Sequence, residues 1–587
     1  VFIPVSFLSG PVGVFYRQFS ITMAMAIVIS GINALTLTPA LCAIILKPVD
    51  HHKKSRIQKF FDGFNNGFDK LTGKYGNLLK KIANRKAITI IVLLIFTIST
   101  VGISKLVPSG FIPSEDQGTI YVNVTAPVGS TLERTEMVMD EIDGISLKTD
   151  GIESISSLSG YSMITEGIGA SFGMSTINLK PWEERQYSSD ELIKILEEKT
   201  RHIKDAEIQF MPPPAVPGFG NASGFEFRVL DKTGSGDLQN TADVTDAYLE
   251  KLRTRPEIGQ VFSSFDPSFP QYLLHIDQEV AAKRKVSVQK ALKNLQSLIG
   301  SYYATNFIRY GQMYRVMVQA DPKYRSQPDD ILKLRIKNED GEMVPYNAFT
   351  KIEKIYGPEQ LTRYNMFVAA MINGEPAKGY STGDAIKAIQ EVAKENLPRG
   401  FDYEWSGMTR EEILSGNQVY FVFTICIIFV YLILSAQYES FLLPFPVLLF
   451  LPIGMLGTFT FLWMFGLENN IYAQVAMVML IGLLGKNAIL IIEFAILKRS
   501  EGRTIVQAAI DGAIARLRPI LMTSFAFTAG LIPLMMSHGA GAIGNKTIGS
   551  AAAGGMLFGT VFGIIIIPGL YVIFASLEKK QKNEIKA

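Results

Sequence analysis

The chain has 587 residues, of which 48% are hydrophobic, and a formal net charge of only +3. Its mean hydropathy of +0.21 is high for a soluble protein and low for one made only of membrane spans, so both membrane and aqueous parts are expected. The small net charge gives no reason to expect nucleic-acid binding. Cys42 and Cys426 lie in apolar runs and are interpreted as core residues, not as a disulfide or metal ligands.

Seven apolar segments are long enough to cross a bilayer as helices, which takes about 20 residues. We predict transmembrane helices at 15–47 and 86–107 and five more within 413–576, whose apolar runs are 419–434, 441–465, 471–497, 519–536 and 548–574. The opening VFIPVSFLSGPVG lacks a signal-peptide pattern. We expect residues 1–8 to be the end of a transmembrane helix that begins upstream, and the chain to be part of a longer protein.

The basic residues predict the orientation of these spans. Lys and Arg cluster at 47–56, 80–86, 498–503 and 578–586. Alternating spans put all four clusters on one side, which the positive-inside rule assigns to the cytoplasm, together with a tail at 577–587. Residues 54–83 have apolar side chains at helical spacing and lysines on the other faces, which predicts an amphipathic helix in the cytoplasmic interface. The alternative is an amphipathic helix packed on protein.

The large insert at 108–412 then lies on the opposite side, and it alternates strands and helices. Its first unit is predicted to contain strand 118–127, helix 131–146, strands 152–159 and 173–180, helix 189–203 and strand 207–211. A similar set begins at 224, after the Pro/Gly-rich connector 212–224. Repeated units of this size favour small split β-α-β (ferredoxin-like) domains.

The run IGLLGKNAILIIEFA (481–495) places a lysine in the middle of an apolar span. A lysine there costs about 2.5–3.5 kcal/mol on insertion scales. Snorkelling would need a position near a helix end, so we favour a functional role for Lys486, with Asn487 beside it. Glu493 is seven residues further on and shares nearly the same face, where a structural and a functional role are equally plausible.

The next span, beginning RLRPILMTSFAFTAG (516–530), carries Arg516 and Thr523, which are also seven residues apart and share a face. Arg518, and Arg516 as well, could instead be anchors at the cytoplasmic surface. No span in this chain supplies a buried aspartate to balance Lys486 and Arg516. Because unpaired cations in lipid are unfavourable, we expect acidic partners in the upstream part of the protein.

Enzyme motifs are weak. GASFG (169–173) has the G-x-S-x-G form, but it lies in a predicted glycine-rich loop before a strand, whereas a nucleophile elbow requires strand, turn and helix. Ser171 is therefore interpreted as a loop residue. The five histidines form no H-E-x-x-H pattern, and no phosphate-binding G-x-x-x-x-G-K-[ST] motif occurs. We predict no enzyme, no cofactor and no metal site.

Several motifs together are similar to those of one transporter family. They are YRQFSIT (16–22), LTPALCA (37–43), GFIPSEDQG (110–118), DPKYRSQPDD (321–330), LSGNQ (414–418), QYES (437–440), GKNAILIIEFA (485–495) and RLRPILMTS (516–524). With them the chain resembles, nearly end to end, the hydrophobe/amphiphile efflux branch of the resistance-nodulation-cell division superfamily. These are inner-membrane pumps of tripartite drug-efflux systems in Gram-negative bacteria.

The resemblance implies a multi-pass protein of the bacterial inner membrane, with twelve spans and a large periplasmic domain. It implies porter subdomains at 108–220 and at 221–268 with 355–412, and a docking subdomain at 269–354. It implies a homotrimer that works with a periplasmic adaptor and an outer-membrane channel. The implied activity is drug/proton antiport, in which the proton motive force drives export of hydrophobic and amphiphilic compounds.

The resemblance also implies roles for individual residues. In the family, two aspartates of the fourth span take up protons, and by motif their partners fall here on Lys486, Arg516 and Thr523, with Asn487 and Glu493 as possible neighbours. A substrate pocket lies between the porter subdomains beside a glycine-rich loop, here 160–173. Its apolar candidates, each with core packing as an equal alternative, are Tyr161, Met163, Phe172, Met211, Phe219 and Phe225. Ser156 and Gln209 stand where phenylalanines are expected.

Two other functions stay open. A heavy-metal pump of the same superfamily would need clustered methionines, for which Met163, Met174 and Met211 are candidates. An accessory membrane protein for protein translocation or lipid movement would have a much smaller aqueous region than the one predicted here.

Overall fold

We describe the chain from a computed structural model, which covers residues 2–6, 10–46, 56–220 and 223–586. Parts of the predicted first segment (1 and 7–9), the basic stretch 47–55 and residue 587 lie outside these described residues. The same holds for the side chains of residues 11, 56–61, 415, 417–420 and 579–586.

Five helices precede the insert: α1 (Phe2–Val5), α2 (Gly10–Leu35), α3 (Leu37–Ile45), α4 (Arg56–Ala83) and α5 (Lys86–Ser104). The predicted single span at 15–47 is thus divided in two, because Pro39 has no N–H to donate to the carbonyl of Leu35. Helix α4 packs on protein along its C-terminal half, where Tyr75 and Leu79 are buried, whereas Phe64 remains 58% exposed.

The first unit of the insert is a four-stranded antiparallel sheet with two helices. Its elements are β1 (Thr119–Thr125), α6 (Leu132–Leu147), β2 (Ile152–Ser162), β3 (Gly167–Leu179), α7 (Ser189–Thr200) and β4 (Glu207–Met211), and the strand order is β2-β3-β1-β4. Alternate residues of the central strand, Ile120 and Val122, are fully buried against Ile142 and Leu192 of the helices. The predicted order of strands and helices is confirmed.

The predicted glycine-rich loop at 160–173 is wrong, because these residues belong mostly to the β2-β3 hairpin. Tyr161 pairs with Ile168 across the hairpin, and a bulge between Ser159 and Tyr161 takes up Gly160, whose φ is +92°. Glycine allows this bulge without strain, so the strands continue through sequence that looks like a loop. Ser171 therefore lies in strand β3, and GASFG still lacks the strand-turn-helix geometry of a nucleophile elbow.

The second unit is a five-stranded sheet interrupted by a separate lobe at 269–357. In chain order its elements are β5 (Phe225–Asp231), α8 (Leu238–Arg253), β6 (Ile258–Ser263), β7 (Phe269–Ile276), α9 (Gln278–Lys283), α10 (Val288–Leu298), β8 (Tyr302–Arg309), β9 (Gln312–Val318), α11 (Pro328–Lys333), β10 (Arg335–Lys337), β11 (Met343–Pro345), β12 (Thr350–Gly357), β13 (Arg363–Tyr364), β14 (Phe367–Pro376), α12 (Thr382–Asn396) and β15 (Phe401–Trp405).

The sheet of the second unit has the order β13-β14-β5-β15, and β6 also pairs with β14. Phe227, Tyr248 and Ile389 fill the core between this sheet and its helices. In the lobe, β7 pairs with β12, and Tyr346 is fully buried in a small core of its own. The β8-β9 hairpin projects from the lobe and is exposed along nearly its whole length.

Five helices follow the insert: α13 (Gly407–Tyr438), α14 (Phe445–Met464), α15 (Ile471–Ser500), α16 (Ile505–Met535) and α17 (Ala542–Lys586). Among the described residues, seven helical stretches are long and apolar enough to cross a membrane, and each overlaps a predicted span. Helix α16 begins well before the predicted 519 and runs through Pro519, because the hydropathy of a span does not mark where its helix ends. Helix α17 likewise continues to Lys586, through most of the predicted tail.

Glycines bring α14 and α17 into backbone contact. A Cβ on Gly457 would overlap the carbonyl oxygen of Gly554, and a Cβ on Gly554 would overlap Phe461 and the carbonyl of Gly457. Nearby, the Thr458 hydroxyl donates to the carbonyl of Ala551 at 3.0 Å. Small residues allow close approach where lipid supplies no hydrophobic drive between helices. The α14–α17 contact therefore forms the centre of the membrane bundle.

Two carboxylates lie where the insert meets the membrane helices. Glu412, at the start of α13, accepts a hydrogen bond from the Thr382 hydroxyl at 3.0 Å. Burial, and the carboxylate of Glu468 beside it, raise the pKa of Glu412 to about 7. Burial also raises the pKa of Glu468, in the α14–α15 loop, with a smaller effect from Asp384. This loop is held to the end of α5 by the Asn469 amide, which donates to the carbonyl of Pro108 at 2.8 Å.

We predict that Gly457→Ala destabilises the bundle, whereas Gly530→Ala does not. The new methyl group at 457 overpacks the α14–α17 contact and costs about 1–3 kcal/mol. Gly530, in α16, has open space around its Cβ position. Thermal unfolding of the purified full-length protein in detergent measures both. Equal shifts in the two variants would contradict the proposed contact.

We predict that Glu412→Gln removes part of the pH dependence of stability. The pKa of Glu412 is raised from 4.5 to about 7, so the folded state binds this proton more tightly than the unfolded state. The free energy of unfolding then falls as the pH rises between these values. We expect equal unfolding temperatures for variant and parent at pH 4.5 and a higher one for the variant at pH 8. Glu395→Gln, at an exposed position on α12, is the control and should show no such difference.

Candidate functional site

Lys486 is exposed, although α15 around it is largely buried. In the most apolar part of α15, 72% of the residues are buried, compared with none in the stretch formed by α2 and α3. Within the described part of the chain, no carboxylate lies within 4 Å of the Lys486 ammonium. The lysine thus leaves the packed face of its helix and points to the open side of the bundle.

Asn487, the next residue, points into a buried polar network. Its side-chain amide donates to the Ser524 hydroxyl of α16 at 3.2 Å, and the Thr560 hydroxyl of α17 donates to the same oxygen at 2.7 Å. All three residues are at most 6% exposed. The network joins α15, α16 and α17 at one level. We did not predict Ser524 and Thr560, although hydroxyl residues in neighbouring apolar spans are a usable signal for such contacts.

The network fixes the depth in the helix bundle at which two of the predicted site residues lie. Lys486 and Thr523 each come one residue before a member of the Asn487–Ser524 hydrogen bond, so they lie at similar depth on adjacent helices. Thr523 is exposed, and its hydroxyl donates to the carbonyl of Ile520 at 3.0 Å. Both side chains are therefore exposed at the same level of the bundle.

Arg516 does not join them. Its guanidinium lies over the ring of Phe494, 3.6 Å from the centroid, and Phe494 is about 12 Å along α15 from Lys486 at 1.5 Å per residue. The Arg516 Nε atom is buried and has no hydrogen-bond partner among the described residues. Arg518 instead donates to the Asn65 side chain at 3.1 Å, which ties α16 to α4.

Glu493 is half-buried and has a partner on another helix. The side-chain amide of Gln437, near the end of α13, donates to its carboxylate. Gln437 belongs to the QYES motif. This contact links α13 to α15 at a point two turns of helix from Lys486.

A cavity of about 920 Å³ lies between the two units of the insert. Of the predicted pocket residues, Phe172 and Phe219 line it, and Phe265, Phe269 and Tyr364 add further aromatic side chains. Its walls also carry carboxylates, which the sequence analysis did not anticipate: Glu166, Glu226, Asp266, Glu359 and Glu411. Two arginines, Arg228 and Arg410, face it as well.

Some of these charges are held in place by hydrogen bonds. Ser171 donates to Glu359 at 2.7 Å, and Ser406 donates to Glu226 at 2.6 Å. Arg228 lies 3.7 Å from the Glu226 carboxylate and over the ring of Tyr364. The cavity is therefore a fixed aromatic and acidic surface rather than a purely apolar pocket.

The other four predicted pocket residues do not line this cavity. Phe225 is 2% exposed and packs beside Phe227 in the core of the second unit. Met211 is 5% exposed and packs with Ile164. Tyr161 and Met163 are half-buried at the tip of the β2-β3 hairpin. For Phe225 and Met211 this is the core packing that was the alternative.

Two methionines of the heavy-metal alternative, Met174 and Met211, lie on the same face of the sheet but not on adjacent strands. Met174 is paired with Asn123 of β1, and Met211 is paired with Tyr121 of β1. Strands β3 and β4 therefore lie on opposite sides of β1, with backbones about 10 Å apart.

A family model described as the AcrB/AcrD/AcrF family matches residues 1–575. The chain belongs to the AcrB/AcrD/AcrF family. This confirms the resemblance to resistance-nodulation-cell division efflux pumps. The multidrug/solvent efflux pump membrane transporter MepB of Pseudomonas putida is 37% identical over 592 residues, covering 100% of this chain and 56% of MepB.

Two further relatives are similarly close. The multidrug export protein AcrF of Escherichia coli K12 is 37% identical over 585 residues, which cover 98% of this chain and 56% of AcrF. The antibiotic efflux pump membrane transporter ArpB of Pseudomonas putida is 37% identical over 592 residues, again 100% of this chain and 56% of ArpB. The chain thus spans about half the length of the curated relatives it matches.

We predict different effects on stability for two polar residues that lie at one level of α15 and α16. Asn487→Ala removes a buried interhelical hydrogen bond and should cost about 0.6–1.7 kcal/mol. Thr523→Ala removes only a bond to the backbone of its own helix and should leave the unfolding temperature of the full-length protein nearly unchanged. An equal loss in both variants would show that the network does not hold the helices together.

Proposed function

We propose that the protein containing this chain is the inner-membrane component of a tripartite efflux system and exports hydrophobic and amphiphilic compounds by drug/proton antiport. The observation that carries this proposal is an exposed lysine in the middle of an otherwise buried span. Family membership and the names of the relatives, which are multidrug, solvent and antibiotic efflux pumps, support it. On this proposal the protein is a secondary transporter and not an enzyme.

Lys486 and Thr523 are the centre of the proposed proton relay. They share one level and face the open side of the bundle, where a pair of carboxylates from the remainder of the protein would neutralise the cation. Protonation of a carboxylate removes the partner of Lys486, so the preferred position of α15 changes. Each proton that crosses the membrane supplies about 2.3 kcal/mol per 100 mV. Arg516, two turns away over Phe494, would act on the cytoplasmic side of this exchange.

The cavity between the two units is the proposed substrate site, with Phe172 and Phe219 as its predicted contacts. The order β-α-β-β-α-β of the first unit, with β1 and β3 in the centre of its sheet, supports a ferredoxin-like porter subdomain at 108–220. We assign the second porter subdomain to 221–268 and 355–412, and the docking subdomain to the lobe at 269–354. The insert then lies in the periplasm, because the basic clusters lie at the other end of the spans.

The β8-β9 hairpin supports assembly as a homotrimer. It exposes several large apolar side chains, including Phe307 at 48%, Ile308 at 77% and Met313 at 70%. An exposed apolar hairpin of this kind promotes aggregation unless another surface covers it. A neighbouring copy is the proposed occupant, and the periplasmic adaptor and outer-membrane channel complete the assembly.

The names of the relatives favour this function over heavy-metal export, and the large aqueous insert favours it over an accessory role in translocation. Expression of the complete gene in an efflux-deficient Gram-negative strain distinguishes them. We expect resistance to cationic dyes and detergents to rise, resistance to copper and silver to stay at background, and a protonophore to abolish dye efflux. Metal resistance without dye resistance would instead favour the heavy-metal pump.

We predict that Lys486→Met abolishes dye efflux by the complete protein. The substitution keeps the length of the side chain and its apolar stem. It removes the positive charge, which loses its partner when a carboxylate is protonated. Lys498→Met is the matched control, because it lies on the same helix near its cytoplasmic end and is paired with Glu501 at 2.8 Å. Efflux should stay near the parental rate in this control. Full efflux by Lys486→Met, at equal protein level, would refute the relay.

A further inference from the structure

A second cavity, of about 470 Å³, lies at the end of the bundle where α5 and α16 begin. Three parts of the chain form it: the α4–α5 connection with the adjoining helix ends, the end of α15 with the α15–α16 connection, and the last part of the apolar stretch of α17. Lys86, Arg499, Arg503, Thr504, Val506 and Val572 are among its lining residues. The mechanism proposed above does not use this cavity, and the inference that follows does not depend on that mechanism.

The charge of this cavity is positive. Lys86, Arg499 and Arg503 line it, and none of its lining residues is acidic. The carboxylates nearest to the arginines are Glu578, 3.8 Å from Arg499, and Asp511, 3.9 Å from Arg503. Both distances exceed those of a close charge-assisted hydrogen bond. Around Lys86, the described residues place no carboxylate within 4 Å.

Two helix N-termini add to this field. Helix α5 begins at Lys86, and its cap residue Arg85 makes no side-chain hydrogen bond to the first turn. Helix α16 begins at Ile505, where the Thr504 side chain accepts only from the Gln507 amide. The first amides of a helix have no partner within the helix, and its N-terminus carries a partial positive charge. An anion in the cavity would lie near the N-termini of both helices and near three cationic side chains.

The cavity also continues into an apolar surface that fits lipid chains. Lys86, Ile90 and Leu94 are four residues apart along α5 and therefore lie on one side of it. Ile90 is 45% exposed and Leu94 is 54% exposed. A free phosphate would have no use for this surface, whereas the acyl chains of a phospholipid would cover it. We propose that the cavity binds the anionic phosphodiester headgroup of a phospholipid, whose acyl chains run along Ile90 and Leu94.

The test is lipid binding by the full-length protein, purified in an uncharged detergent and titrated while bound lipid is counted by native mass spectrometry. The probes are phosphatidylglycerol, phosphatidylcholine with the same acyl chains, and inorganic phosphate. We expect phosphatidylglycerol to bind more tightly than phosphatidylcholine and phosphate not to displace it at millimolar concentration. Arg503→Gln, on an exposed connection, should weaken phosphatidylglycerol binding about fivefold, as expected for one cation near the membrane surface.

Two further variants test whether binding depends on the cations that line the cavity. Lys86→Gln should also weaken phosphatidylglycerol binding about fivefold. Lys498→Gln removes one charge at the same end of the bundle without lining the cavity, so its effect should stay below twofold. Equal losses in Lys498→Gln and Arg503→Gln would mean diffuse surface attraction and overturn the proposal. Equal affinity for the two lipids would overturn it, as would displacement of phosphatidylglycerol by phosphate, which would indicate an anion site unrelated to lipid.

Discussion

Polar groups within a bilayer need partners, and this constraint determines how the membrane helices contact α15. On its buried side, Asn487 is satisfied by Ser524, which also accepts from Thr560. Closer to the C-terminal end of α15, Glu493 is satisfied by Gln437. Lys486 lies on nearly the same face as Glu493, but among the described residues no carboxylate lies within 4 Å of its ammonium. Asn487 and Glu493 are fixed by bonds to two other helices, α16 and α13, so α15 cannot turn to bury this cation without breaking them.

The structure also offers a physical route between membrane and cavity. Helix α13 has 32 residues and is therefore about 48 Å long. Gly407 and Arg410, in its first turn, line the large cavity, and Gln437, in its last turn, donates to Glu493 of α15. A rigid element thus joins the wall of the cavity to the helix that carries Lys486. Glu412 lies in the second turn of α13, beside Glu468 of the α14–α15 loop, so its environment would change with any movement of this helix against that loop.

Sequence alone identified the features that depend on local pattern. Apolar length predicted the spans, alternation predicted the strands of the first unit, and an isolated charge pointed to Lys486. Prediction from the sequence failed where one residue type is compatible with two structures. Gly160 looked like part of a loop but sits in a strand bulge, and Met211 and Phe225, for which a pocket and core packing were equal alternatives, pack in cores. Which face a side chain occupies depends on the register of strands far apart in the chain, and no local pattern encodes that register.

The same dependence on contacts between distant parts of the chain explains why the carboxylates of the large cavity were not predicted. Its carboxylates come from segments separated by up to about 240 residues, from Glu166 to Glu411, so no motif could have gathered them. Aromatic rings attract cations through their faces, and carboxylates add to that attraction when water is partly excluded. On the proposal that this cavity is the substrate site, a wall that combines Phe172 and Phe219 with Glu359 and Asp266 would favour amphiphiles with a positive charge over anionic ones of the same size. The two arginines of the wall each lie near a carboxylate: Arg228 is 3.7 Å from Glu226, and Arg410 is 3.9 Å from Glu411.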